Sequence, residues 1–121
     1  MEKMTVLATV NNKGISAMTI NNMTATRMAV IGSRTNDAVM AVGKAMMINL
    51  WKEKAKNGEV TFAFTKRDGS TRIAHGTIKF AGSMVNGRGE SRENYATCAW
   101  MDLDDNLKWK SFRWESLLWV K

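Results

Sequence analysis

Apolar residues alternate with polar or small ones from Val60 onward, with Val60, Phe62 and Phe64 on one side and Thr61, Ala63 and Thr65 on the other. That period of two is the signature of a half-buried strand. Lys66-Arg67-Asp68-Gly69-Ser70 predicts a short hairpin connection, because Gly69 can take a positive φ after Asp68 without steric cost. A return strand follows from about Thr71 to Phe80, then strands at Tyr95 to Leu103 and Leu107 to Trp114 joined through Asp104-Asp105-Asn106, and a short stretch around Ser116 to Val120. Residues 82 to 93 are rich in glycine and charge and predict a polar loop.

Before Gly58 the pattern is different. Asp37 to Lys56 has no proline, few β-branched residues and many helix formers, with Thr35, Asn36 or Asp37 available as N-cap and Asn57-Gly58 as a stop. Val39, Met40, Val42, Met46, Met47, Ile48, Leu50 and Trp51 wrap more than half of that helix, so it should be covered on two sides. Residues 4 to 10 and 24 to 31, rich in Thr, Val, Ile and Met, read as the arms of a hairpin. The expected architecture is one domain, mainly β with one α-helix. An N-terminal β-hairpin extension (1–34) and a packed helix (35–57) precede a small SH3-like or Sm-like β-barrel (59–121).

The ordered segments Val60 to Arg72, Ala74 to Ile78, Trp109 to Arg113 and Glu115 to Leu118 resemble the WYL-like small domains. These are described as Sm-like, SH3-like barrels and occur in bacteroidal bacteria and their phages. The resemblance covers about half the chain, residues 59 to 120, and the helix before it also matches. Residues 1 to 34 lie outside it. It implies a barrel and a phage or mobile-element setting, and it carries no catalytic residues.

Composition narrows the function. A chain of 121 residues with 45% hydrophobic and 24% charged residues is an ordinary single domain. The N-terminus lacks the pattern of a secretory signal and no apolar stretch suits a membrane span, so a cytoplasmic location in a bacterial or phage-infected cell is expected. The formal charge of +7 favours polyanionic partners. Lys and Arg outnumber Asp and Glu by 8 to 3 in residues 1–58, and by 10 to 8 thereafter. Lys52, Lys54 and Lys56 either complement the helix dipole or bind an anion.

Enzymatic chemistry finds few candidates. One cysteine, Cys98, and one histidine, His75, make neither a disulfide nor a zinc cluster. His75 reads as a hydrogen-bonded or solvent-facing strand residue and Cys98 as a small buried hydrophobe. Asp102, Asp104 and Asp105 read as a solvated turn, since hard-cation loops spread more oxygen ligands over a longer, glycine-containing stretch. No cofactor and no catalytic residue are expected.

The informative segment is Leu107 to Trp114, where basic and aromatic residues interleave. Period two places Lys108, Lys110, Phe112 and Trp114 on one side, and Trp109, Ser111 and Arg113 on the other. Small barrels bind single strands with aromatic platforms and cationic grooves. The candidate nucleic-acid contacts are therefore Arg72, Lys108, Lys110, Phe112, Arg113 and Trp114. The competing reading is that Trp100, Trp109, Trp114 and Trp119 fill the barrel while lysine stems run along its rim. The partners to weigh are single-stranded RNA or DNA, a host defence or transcription protein bound by a phage-encoded inhibitor, and a second copy docked through the Met-rich helix. The WYL-like resemblance adds a small anionic ligand.

Overall fold

A computed structural model describes residues 4–7, 18–79 and 95–121, with side chains from Asn22 onward. The elements are β1 (Met4–Leu7), β2 (Met18–Asn21), α1 (Asn22–Thr35), α2 (Ala38–Asn57), β3 (Glu59–Thr65), β4 (Thr71–Thr77), β5 (Thr97–Asp102), β6 (Lys108–Arg113), a 3-10 turn (Trp114–Ser116) and β7 (Leu117–Val120). β1 pairs antiparallel with β2, and the other strands form one antiparallel sheet in the order β6-β5-β4-β3-β7. The loop predicted at 82–93 lies outside the described residues.

The chain steps from β6 to β7 through three residues, yet these strands are the two edges of the sheet. Laid flat, five strands would hold their outer members about 19 Å apart. A 3-10 turn of this length advances only about 8 Å. The sheet must therefore curl until its edges approach, which is how an SH3-like barrel arises. Its inner rows carry Val60, Phe62, Phe64, Ala74, Cys98, Trp100, Phe112 and Leu117, all buried.

α2 forms where the sequence predicts, and of the three candidate caps Asp37 serves: its carboxylate accepts from the Met40 N–H at 2.9 Å. Its buried positions are Ala41, Ala45, Ile48, Trp51 and Ala55, one stripe at spacings of three and four. Trp51 enters the barrel and meets Phe62 and Phe112 edge-on, with ring centroids 5.6 and 5.1 Å away.

Two expectations need correction. Residues 24–31 are helix, not the second arm of a hairpin, so the described residues hold two α-helices where one was expected. β-branched content suggested a strand, but Thr24, Arg27 and Ile31 fall on one helical face that packs on α2. Packing overrides propensity there. The hydroxyls of Thr26 and Thr35 donate to the carbonyls of Asn22 and Ile31, four residues back, so both side chains are satisfied within the helix. The strand that pairs with β1 is instead Met18–Asn21.

α1 ends at Asn36, which adopts φ 55° and returns its N–H to the Gly32 carbonyl. Both helices are tied to the 3-10 turn: Arg34 pairs with the Glu115 carboxylate at 2.9 Å, and Lys44 Nζ donates to the Glu115 carbonyl at 2.5 Å. Burial holds the Lys44 ammonium below its ordinary pKa, against the opposing pull of Glu115.

Gly76 sits where β4 passes the indole of Trp100. A Cβ there would lie 2.7 Å from Trp100 Cε3 and 3.3 Å from Phe62 Cε1. Gly76→Ala should therefore lower unfolding stability by about 2 kcal/mol, the usual cost of overpacking, read as a fall in the urea midpoint at unchanged slope.

Candidate nucleic-acid interface

Register decides which side chains share a surface. In the β3–β4 pairing Phe64 faces Arg72, and in β5–β6 Cys98 faces Phe112, Trp100 faces Lys110 and Asp102 faces Lys108. These residues belong to inner rows, and of the polar ones Arg72 and Lys110 gather around Asp102. Asp102 is fully buried. It bonds to Arg72 Nη2 at 2.5 Å, lies 3.7 Å from Lys110 Nζ, and accepts from the Asp104 N–H at 3.0 Å.

Each of the three carboxylates expected to form a solvated turn thus has a side-chain partner of its own. Asp102 takes Arg72, Asp104 lies 2.9 Å from His75 Nδ1, and Asp105 takes Lys110 at 2.9 Å with Lys108 at 3.8 Å. Only Asp102 departs from the expected exposure, because Arg72 and Lys110 follow it into the barrel mouth. The Arg72 guanidinium also lies over the Trp100 ring, 5.4 Å from its centroid. Among the described residues no cluster of three or more His, Cys, Asp or Glu is placed to hold a metal ion.

Burial is the largest influence on Asp102 and favours its neutral form. The Arg72 hydrogen bond, the Asp104 N–H and the charges of Arg72 and Lys110 outweigh it, so the carboxyl titrates below its ordinary value. Asp105 is lowered too, chiefly by its bond to Lys110.

Of the sequence candidates, the structure brings Arg72, Lys108 and Lys110 together, but as partners of buried or turn carboxylates. Phe112 and Trp114 need correction as stacking residues. Phe112 is packed between Trp51, Phe62 and Phe64, and Trp114 is buried in the core cluster with Arg27 5.8 Å from its ring. Neither presents a face to solvent.

The other row of β6 does. Trp109 is 43% exposed, and Ser111 and Arg113 are exposed on the same side. Arg113 has no side-chain partner among the described residues, and it stands four residues along from Trp109, about 13 Å. Trp109 and Trp119 are the exposed tryptophans; Trp51, Trp100 and Trp114 fill the core. The sequence candidates on β6 thus come from both rows: Lys108, Lys110 and Phe112 from the inner one and Arg113 from the outer one, with Trp114 in the 3-10 turn that follows. The signal that sets the rows apart was present: Phe112 shares its row with Lys110, whose carboxylate partners come from a turn close in sequence. His75 lies on the outer row of β4, and Cys98 on the inner row of β5, buried in the core. Lys54 and Lys56, in the last turn of α2, are exposed.

Residues 48–118 match the WYL_2 family model, described as an Sm-like SH3 beta-barrel fold. No curated protein and no solved structure matches the chain. Among the described residues no helix is long and apolar enough to cross a membrane.

The buried ion pair generates a pH prediction. A carboxylate whose folded pKa is depressed stabilises the protein above its unfolded value of about 4 and ceases to do so as pH falls through the folded value. Urea midpoints measured from pH 6 to pH 2 should fall steeply below about pH 4. Asp102→Asn should be destabilised at pH 6, and its deficit against the parent should shrink in that acid window. Arg72→Met should cost about 2 kcal/mol at pH 6, less than a fully buried pair because the guanidinium is part exposed.

Proposed function

The chain belongs to the WYL_2 family of Sm-like SH3 β-barrels, and on that scaffold we propose a non-enzymatic, regulatory protein that binds single-stranded nucleic acid along the outer row of β6. The observation that carries this reading is an exposed indole, Trp109, on the same strand face as Arg113, a cation with no carboxylate partner among the described residues, in a chain of net charge +7. An indole face stacks on any base, and an arginine fork fits a phosphate. Lys108, exposed beside Trp109 and only loosely paired with Asp105, adds positive potential at the rim.

Arg72 and Lys110 take a different role in this proposal. Their charges are spent on Asp102 and Asp105, so they hold the end of the barrel and place β6 without contacting the ligand.

Fluorescence anisotropy of labelled single-stranded RNA and DNA, titrated at low salt, tests the reading. Trp109→Ala should weaken binding by about 5- to 150-fold, the range of one lost base stack. Arg113→Ala should flatten the plot of log K against log salt by about 0.7, the contribution of one phosphate. Trp119→Ala, on β7, should leave the affinity unchanged. Absence of binding at tens of micromolar protein, or equal losses from Trp109→Ala and Trp119→Ala, would remove the proposal.

A further inference from the structure

α2 carries two apolar stripes on opposite sides. One, Ala41, Ala45, Ile48 and Ala55, is buried against α1 and the sheet. The other, Val39, Gly43, Met46 and Leu50, recurs at spacings of four, three and four on the far side of the helix; Val39, Gly43 and Leu50 are exposed, and Met46 is half-buried with its Sδ 4.0 Å from Asn49 Nδ2. Val39 is 84% exposed and Leu50 47%; Gly43 faces open space, with nothing within 4 Å of a Cβ placed on it. Met40, 40% exposed, and the half-buried Met47 widen the strip on one side. Lys44, Asn49 and Lys52 interrupt the apolar surface of the helix, and an exposed apolar stripe of this length on a helix is ordinarily covered.

We infer that this stripe is the docking surface for a second copy of the same chain, with the two α2 helices packed antiparallel about a two-fold axis. The order of side chains along the stripe carries the assignment. A two-fold contact must be self-complementary: residue i meets j, and j meets i. Centred between Gly43 and Met46, the stripe places Val39 of one copy against Leu50 of the other, and the Met46 side chain over the partner's Gly43. Each bulky residue thus meets a residue or a space of fitting size, twice over.

The charges at the ends of the stripe agree. Glu53 and Lys54 follow Leu50, are exposed, and have no side-chain partner among the described residues. In the antiparallel arrangement they come over the first turn of the partner helix. The helix dipole there is positive toward Glu53, and the cap carboxylate of Asp37 is negative toward Lys54. A parallel pairing would set Lys54 against its own copy.

The stripe from Val39 to Leu50 is about 17 Å long, which is short for an interface, so the dimer should be weak and concentration-dependent. Two chains of net charge +7 also repel, and at 0.15 M salt that repulsion is screened beyond about 8 Å.

Light scattering coupled to size exclusion, or sedimentation equilibrium, on the full chain from about 1 to 500 µM should show the mass rising from 13.6 kDa toward twice that value. Leu50→Glu should weaken self-association by at least about 30-fold while the circular dichroism of the monomer stays unchanged. The orientation has its own readout. Under mild oxidation the double variant Val39→Cys with Leu50→Cys should form a covalent dimer, and Val39→Cys alone should not, because the two-fold axis holds the copies of residue 39 apart. A monomer throughout the concentration range, a dimer indifferent to Leu50→Glu, or efficient self-linking of the single Val39→Cys variant would each overturn the inference.

Discussion

The architecture depends on one wedge of aromatic packing, the insertion of Trp51 from α2 between strands at opposite sides of the sheet. Its ring meets Phe62 of β3 and Phe112 of β6 nearly at right angles, and Phe62 in turn meets Trp100 of β5 edge-on with centroids 5.0 Å apart. Edge-to-face pairs contribute about 0.5 to 1.5 kcal/mol each beyond the area they bury. The indole N–H groups of Trp51 and Trp100 have no hydrogen-bond partner among the described residues. An unmet buried donor costs about 1 to 3 kcal/mol. That cost is tolerated because only a two-ring side chain spans the space between helix and both strands. By anchoring Phe112 inward, the same wedge forces Trp109, Ser111 and Arg113 outward, so the surface chemistry of β6 is a consequence of the core.

The second constraint is electrostatic. Asp102 can remain charged in the barrel only while Arg72 and Lys110 stay beside it, and this fixes two of the cations that make the chain basic. Lys108 and Lys110 have a further consequence, since β6 is an edge of the sheet. Lysines along an edge strand oppose pairing with another chain, a common protection of exposed sheet edges. Basic and aromatic residues along one row of a strand can therefore arise from edge protection and core filling together, as Lys108, Lys110 and Phe112 do here. What remains for a ligand is the part of the run that neither demand explains, namely Trp109 and Arg113.

Much of this was readable from the chain. The period-two run after Gly58, the Asp68-Gly69 turn and the limits of α2 follow from local chemistry: side-chain alternation, a glycine at φ 90°, and an aspartate cap. α1 was not readable, because its threonines and β-branched residues favour a strand and only its packing on α2 makes it helical. The partition of β6 into two rows was legible too. Which row faces solvent was not, because a row with two lysines looks polar until Asp102 and Asp105 are known to neutralise it. Long-range pairing such as that between Arg72 and Asp102, thirty residues apart, leaves no periodic trace.

The helix interface explains where the large apolar side chains of α2 had to go. Ala41 lies against Gly32 of α1, where an added Cβ would stand 3.6 Å from that of Ala41. Small residues on both sides let the helices approach closely, and a methionine or leucine at position 41 or 45 would push them apart. Bulk is therefore excluded from the inner stripe wherever α1 crosses, and Ile48 and Trp51 enter only where the barrel opens to receive them. That account covers the alanines. It does not cover Val39 and Leu50, since glutamate, lysine or glutamine would serve at solvent-facing helix positions equally well and would improve solubility. Valine at position 39 has lower helix propensity than any of these, and glycine at 43 costs about 1 kcal/mol relative to alanine. Helix stability thus argues against the residues found on the outer stripe. Their presence there is accounted for by a surface that is covered when two copies meet.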